Sequence, residues 1–332
     1  MEAPSIKGKK PQQMNEQALS NGIVKESKEY LSSYMPVFAN RFYSSLKANV
    51  DKFNNYRRLK DNFLKKVRYK LNLEAPRSFN EKIQWKKLND RNPLLRVTAD
   101  KYAVRTYLRE VLGNKKADEI LIPLYYATAD PCDIPFDELP PKFVMKPNHG
   151  SQMHLIIRNK YKVDKEQIIK ECKKWLNNNY GFYSHEWAYR DIKRKIIIEK
   201  LLETETGELP HDYKLYCFHG KCRIVRVTKN RFGNEILAGY FDTEWKLLPA
   251  EVPGYKSRYP FEKPANIRKM IGLAETLSQP FDFVRVDLFI TGDRIYFGEL
   301  THYEASGFGR IEPESFDFQL GKYWNIRPCY WL

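Results

Sequence analysis

Long apolar runs are missing from this chain. None of its 332 residues lies in a stretch approaching the roughly 20 apolar residues that a membrane-crossing helix needs. The opening residues, Met1-Glu2-Ala3-Pro4-Ser5-Ile6-Lys7, lack the apolar segment of a secretory leader. Cysteine is sparse and odd in number (Cys132, Cys172, Cys217, Cys222, Cys329), which argues against a disulfide framework and a zinc ribbon. Cys217 and Cys222, the nearest pair, read as packing thiols. A soluble protein of a reducing cytosol fits best, so a cytoplasmic location is expected. No internal repeat or low-complexity tract occurs. Also missing are a Walker-type loop, a dinucleotide glycine pattern, His-Glu-x-x-His and a nucleophile elbow, since Ser151 has Gly150 before it but no second flanking glycine.

Hydrophobic residues make up 42% and aromatics 14%, which excludes wholesale disorder. The length suits two or three domains. Lysine and arginine number 57 against 41 acids, a net +16 that favours an anionic partner: nucleic acid, acidic polysaccharide or an anionic membrane face. No RNA- or DNA-binding motif is present, so nucleic acid is not expected. Residues 1–75 carry 15 of the bases and 7 of the acids. Residues 1 to about 25 read as a mobile tail. From Glu26 to Leu73 apolar residues such as Phe42, Leu46, Val50 and Phe53 recur at helical spacing. This basic helical extension reads equally as a solvated face or as a contact with a membrane surface or a polymer.

Ser78-Phe79-Asn80-Glu81 has the capping-box pattern, so a helix should start there and carry Ile83 and Leu88 inward. A second helix is expected from Asp100 to Val111, then a short strand over Ile120–Leu124. Further strands are expected at 143–147, 154–158, 195–199, 213–218, 222–228, 237–242, 283–290 and 294–300. Helices are expected at 165–177, capped by Asp164, and at 264–277, opened by Pro264. Hairpins followed by helices indicate α+β with mostly antiparallel sheets.

The last two strands carry the strongest chemical signal. Phe283-Val284-Arg285-Val286-Asp287-Leu288-Phe289 and Ile295-Tyr296-Phe297-Gly298-Glu299-Leu300-Thr301 flank the turn Thr291-Gly292-Asp293, a hairpin pattern. With a three-residue loop, Ile290 pairs with Arg294, Asp287 sits opposite Phe297 and Glu299 lies beside Arg285. Two carboxylates and a guanidinium then converge among aromatic side chains. Such carboxylates repel, and their burial needs a cation. Magnesium between them resolves the conflict, and magnesium usually implies a nucleotide phosphate. The competing reading is a surface Arg–Glu pair with Asp287 solvated.

Upstream, the strand Phe143-Val144-Met145-Lys146 runs into Asn148-His149-Gly150-Ser151-Gln152-Met153, a lysine entering a small-residue loop. A polyphosphate needs such a point charge and exposed backbone N–H groups. His149 either donates to phosphate or holds the loop. The strand Lys195-Ile196-Ile197-Ile198-Glu199-Lys200-Leu201-Leu202 turns polar at its exit, where a planar base fits between apolar walls and Glu199 would accept from an exocyclic amine. Asp212-Tyr213-Lys214 offers an acid for ribose hydroxyls and a second lysine for phosphates.

In this order the blocks resemble the ATP-grasp fold, and more narrowly the TupA-like (teichuronopeptide-biosynthesis) family of bacterial surface-polymer loci. Ser78–Trp85, Ala99–Arg105, Phe143–Ser151, Asp212–Phe218, Phe281–Leu288 and Tyr296–Thr301 carry the resemblance, which covers about 75 to 325. It implies two α+β lobes, 76–200 and 201–332, clasping ATP behind the extension 1–75. By that analogy Lys101, Lys146, His149, Gly150 and Ser151 meet phosphates, Glu199, Lys200 and Leu202 line the adenine, Asp212 holds ribose and Lys214 reaches the phosphates. Arg285 steadies the transferred group, and Asp287 and Glu299 bind Mg2+. Ser306-Gly307 falls where such folds meet the acceptor. Two departures stand out: Gln152 and Met153 replace further loop glycines, and Thr301 stands where many relatives carry Asn. The resemblance implies an ATP-dependent carboxylate–amine ligase working through an acyl phosphate. Its acceptor would be an acidic polysaccharide (capsule, teichuronopeptide or O-antigen type) or its precursor, its amine donor an amino acid or similar amine. The alternatives are a glycan phosphotransferase with the same fold, a glycosyltransferase, which no Asp-x-Asp supports, and a basic binding module without catalysis.

Overall fold

The computed structural model describes residues 37–231 and 233–326, with side chains from residue 43 onward. The expected tail over 1–25 lies outside the described residues. The chain divides at Tyr43 into two units, and the account below concerns the second, Ser44–Leu332, and the helix that runs across the boundary. That helix is α1, Val37–Phe53; α2 is Arg57–Val67. Asn55 and Tyr56, both with positive φ, break the expected helical extension between them.

Helix α3, Phe79–Asn89, begins as its capping box requires: Glu81 N donates to Ser78 Oγ at 3.1 Å, and Ser78 N to Glu81 Oε2 at 3.0 Å. Ile83 is fully buried and Leu88 half-buried. The same helix buries Lys86, whose ammonium lies 2.6 Å from both Asp90 Oδ2 and Asp282 Oδ1, so the buried charge is paired twice. Next come α4, Leu94–Ala99, α5, Val104–Leu112, and α6, Asn114–Ile120. The helix expected from Asp100 starts later, because Asp100 Oδ1 accepts from Tyr102 N (2.8 Å) and Ala103 N (3.2 Å) and closes a turn first. The strand expected over Ile120–Leu124 is also displaced. Helix formers carry α6 to Ile120, Leu121 makes a single bridge to Phe297, Pro123 has no N–H for a ladder, and the continuous strand is β1, Leu124–Thr128.

Strand β1 joins β2, Phe143–Pro147, β3, Leu155–Ile157, and β4, Ile196–Lys200, in a sheet of order β1-β4-β2-β3. Helix α7, Lys165–Asn177, covers it, capped by Asp164, whose Oδ1 accepts from Gln167 N at 3.1 Å. Ile168, Cys172 and Trp175 from that helix share a core with Phe143, Met145, Ile196 and Ile198.

The second sheet, of order β7-β6-β5-β8-β9, comprises β5, Asp212–Phe218, β6, Lys221–Lys229, β7, Leu237–Phe241, β8, Phe283–Thr291, and β9, Arg294–Thr301. Both sheets are antiparallel throughout, the expected α+β arrangement. Helix α8, Ile267–Ser278, begins three residues after Pro264, which instead closes a turn through Ile267 N (3.1 Å). Helix α9, Glu314–Lys322, completes the described elements. Phe79 of α3 packs edge-on to Phe283 of β8, and Trp324 stacks beside both. Residues 79–121, grouped above with the first lobe, thus share their core with the five-stranded sheet.

Candidate active site

A cavity of about 480 Å³ opens between the two sheets. Ile122, Val144, Ile156, Leu202 and Phe289 give it apolar walls, and Lys200 and Leu202 at the exit of β4 line its rim.

The loop after β2 is held by Asn148, which is fully buried. Its backbone N donates to Lys195 O (2.9 Å), and its Oδ1 accepts from Lys195 N (2.8 Å). Its Nδ2 donates to Asp100 Oδ1 and Lys193 O, each at 2.9 Å. Its carbonyl accepts from Lys101 N at 2.9 Å. Asn148 therefore fixes, through its side chain and its backbone together, the loop, the end of the 179–195 segment and the backbone of Lys101. From there Lys101 Nζ reaches Gly150 O at 2.6 Å and lies 3.3 Å from Glu299 Oε2. Gly150, at φ +78°, has no room for a side chain, since a Cβ would lie 2.6 Å from Met153 Cε and 2.9 Å from the Tyr180 ring. Ser151 Oγ and Tyr180 Oη share a 2.9 Å hydrogen bond. Gly150, Ser151, Gln152 and Met153 line the cavity.

His149 does not line it. Its ring is buried inside the loop, and burial, helped by Arg194 and Lys101, pushes it down to about 3 from an ordinary 6.5. Neither ring nitrogen has a hydrogen-bond partner, and its place off the cavity wall sets it apart from the phosphate contact considered for it. The unfolded chain takes up this proton near pH 6.5 and the folded chain only near pH 3. Stability is therefore fully present above pH 6.5 and lost as pH falls. Urea midpoints should drop between pH 7 and pH 5, and His149→Phe should shrink that drop.

The acid hairpin differs in register from the expectation. Its loop has two residues, with Gly292 at φ +56° in the first central position, so Thr291 pairs with Arg294 and Ile290 with Ile295. A β-bulge at Gly298 then inserts one residue into β9 and sets Asp287 directly opposite Glu299. A Cβ at Gly298 would come 2.9 Å from Phe289 Cε2 and 3.1 Å from Asp287 O. The two carboxylates share a face and both line the cavity, but as cross-strand partners; Arg285 pairs with Thr301.

Cations surround these acids. Arg285 grips Asp287 with two bonds, Nε to Oδ1 and Nη2 to Oδ2, each 2.5 Å. Its Nη2 also donates to Thr301 Oγ1 (2.9 Å) and Glu299 Oε1 (3.4 Å), and its Nη1 contacts Glu304. Thr301 in turn donates to Glu299 Oε1 at 3.3 Å, so the residue replacing Asn orients the acid pair. Lys214 Nζ binds Asp212 and lies 3.0 Å from Asp287 Oδ2. Arg285 and Lys214 therefore stand behind the acids and do not line the cavity, in contrast to the direct phosphate contacts expected of them. Burial acts to raise Glu299, but Lys101 and Arg285 outweigh it and hold the carboxyl well below the usual range. Asp212 is lowered as well, against burial, by Lys214 and Arg231.

Glu199 and Asp212, read as ligand contacts, both line the cavity, and each also carries ion pairs within the protein. Glu199, read as an acceptor for an exocyclic amine, lies 2.7 Å from Lys146 Nζ and 3.5 Å from Arg105 Nη1. Asp212, read as a ribose ligand, has Arg231 Nη1 at 3.3 Å besides Lys214. A buried carboxylate draws the nearest cation. Arg105 and Arg231 escaped the sequence reading: Arg105 lies one helical turn beyond Lys101, and Arg231 ends the basic run after β6.

No group of three or more His, Cys, Asp or Glu placed to hold a metal occurs among the described residues. Asp287 and Glu299 instead present two anionic hard-oxygen donors side by side on a cavity wall. That set fits magnesium, which takes one or two carboxylates and completes its shell with phosphate oxygens and water.

A family model for TupA-like ATP-grasp proteins matches residues 81–325, most of the chain, and the protein belongs to this family. The chain accordingly has the ATP-grasp fold. Among solved structures the chain is similar to D-alanine–D-alanine ligase from Bacillus anthracis complexed with ATP (17% identity, TM-score 0.36, covering 62% of this chain and 54% of that one). It is also similar to the Helicobacter pylori D-alanine–D-alanine ligase (12% identity, TM-score 0.40, 76% and 69% covered). A third is the ATP-grasp ligase PsnB complexed with a phosphomimetic precursor variant, Mg and ADP (10% identity, TM-score 0.37, 70% and 60% covered). The chain thus spans about half the length of the first of these. No curated protein matches it. No helix among the described residues is long and apolar enough to cross a membrane.

Proposed function

We propose that this protein is a magnesium-dependent carboxylate–amine ligase that works through an acyl phosphate. The observation that carries the reading is one cavity with Lys101, Lys146 and the Gly150 loop on one side and the Asp287–Glu299 pair on the other. The apolar walls suit a planar base, and the two lysines and the loop suit its phosphates. Asp287 and Glu299 would hold magnesium, which spreads charge off the transferring group when bound. A carboxylate oxygen of the acceptor attacks the γ-phosphorus, the bond to the leaving ADP oxygen breaks, and an acyl phosphate forms. An amine then attacks the acyl carbon, inorganic phosphate leaves with the bonding pair, and the amine loses its proton. Arg285, behind both acids, fixes their geometry through these steps.

The net charge of +16 supports an acidic polysaccharide of the bacterial surface, or its precursor, as acceptor. An amino acid would be the amine donor. With MgATP, purified protein should release ADP only when a uronic acid and an amine are both supplied. Turnover with a hydroxyl acceptor alone, leaving a stable phosphorylated product, would replace the ligase with a phosphotransferase.

A further inference from the structure

Helix α1 is built the wrong way round for a helix that packs on its own protein. From Ser44 onward its buried side is small or polar: Ser44 is fully buried, Ala48 is 6% exposed and Asp51 5%. Its outward side is apolar: Leu46 is 51% exposed, Val50 52% and Phe53 91%. These three recur at helical spacing and form one stripe. Ordinary amphipathic packing would bury it.

The stripe does not face out for want of anchorage. Asp51 Oδ2 and His185 Nε2 lie 2.8 Å apart in a buried hydrogen bond, and Asn179 Nδ2 reaches Ser44 Oγ at 3.3 Å. Arg58 Nη2 donates to Tyr183 O at 3.0 Å. Helix α2 buries Leu59, Phe63 and Val67 while leaving Leu64 45% exposed. Polar contacts thus hold α1 with its apolar stripe toward solvent, while α2 packs through its own apolar residues and adds only Leu64 to the exposed set.

The charge around the stripe names its partner. Residues 44–70 carry nine basic side chains against two acidic ones. Lys52, Arg57, Lys65 and Arg68 are exposed, with Lys52 next to Phe53 in the chain and Arg57 opening α2 four residues on. A protruding aromatic ring with aliphatic neighbours and a basic surround is the chemistry that enters an anionic lipid–water interface: apolar groups go below the headgroups and ammonium and guanidinium groups stay among the phosphates. A protein partner covering this stripe would need acids to answer the bases as well.

We infer that α1 and α2 form a docking face for an anionic bilayer surface, with Phe53, Val50 and Leu46 inserted and Lys52, Arg57, Lys65 and Arg68 paired with lipid phosphates. The face is distinct from the cavity and does not depend on the ligase reading.

Co-sedimentation of the full chain with vesicles tests it. The protein should pellet with vesicles of phosphatidylcholine and phosphatidylglycerol at 7:3 and stay in solution with pure phosphatidylcholine, and high salt should release it. Phe53→Ser combined with Val50→Ser should weaken partitioning by about tenfold or more, and Lys52→Glu combined with Arg57→Glu by at least as much. All four positions are exposed, so the thermal unfolding midpoint should hold, which separates lost docking from lost fold. Failure to bind anionic vesicles overturns the inference, as does unchanged binding by both variants. Binding that appears only once residues 1–36 are removed would assign the face to that segment and overturn it too.

Discussion

Asp287→Asn should cut ADP release on the order of a thousandfold while leaving nucleotide binding in place. The substitution keeps the shape of the side chain and removes its charge. Arg285 gives Asp287 both its bonds at 2.5 Å, and Lys214 leans on the same carboxylate at 3.0 Å. Losing that charge leaves two buried cations with an unanswered excess, which a bound polyphosphate can partly answer. Uptake of ATP should therefore survive, and turnover, which in the proposed mechanism draws on the acid pair to hold magnesium, should not. ADP release at saturating ATP and magnesium, with calorimetry of the nucleotide alone, separates the two. Activity within tenfold of the parent protein would remove the metal role from Asp287. Glu299→Gln should be costly in the same way, although Thr301 and Arg285 still orient the amide.

Asn148→Ala should cost about 3–5 kcal/mol of stability, a large loss for one polar side chain. The side chain makes three bonds in a place without solvent. Truncation leaves Lys195 N–H and Lys193 C=O unpaired and removes a donor from Asp100. Unmade buried bonds cost about 1–3 kcal/mol each, more than a made bond contributes. Asn148→Asp should be worse than alanine, because it sets a second carboxylate against Asp100. Urea denaturation measures both. Weakened nucleotide binding should accompany the loss, since Asn148 Nδ2 holds Asp100, the residue before Lys101. An alanine variant within about 1 kcal/mol of the parent protein would show that water can replace the amide.

Much of the fold was legible because its local signals agree. The capping box at Ser78, the Asp164 cap and the apolar alternation of β2, β4, β5 and β8 placed their elements within a residue or two. The misplaced strand at Ile120 shows where such signals fail: an apolar run of four or five fits a strand or the end of a helix, and only Pro123 decides. Cavity-lining residues were legible where a charge interrupts or borders an apolar strand, as at Lys146, Asp212, Asp287 and Glu299. Their pairings were not. Lys146 with Glu199, and Lys101 with Glu299, join segments far apart in the chain, and nothing local announces them. The outward stripe on α1 was legible as a pattern, but periodicity does not say which side of a helix faces the protein.

Gly298 makes the final hairpin intolerant of added length. Deleting the bulged residue would leave a regular two-residue hairpin with the glutamate still opposite Asp287. Lengthening the ribbon by one would set the glutamate opposite Val286, on the side packed under α8, and refilling the bulge with a larger residue would push against Phe289. A descendant could thus keep this architecture intact and still lose its acid pair through a single-codon slip. Spacing across the ribbon, more than identity at any one position, then separates chains equipped for phosphate chemistry from those that only share the shape.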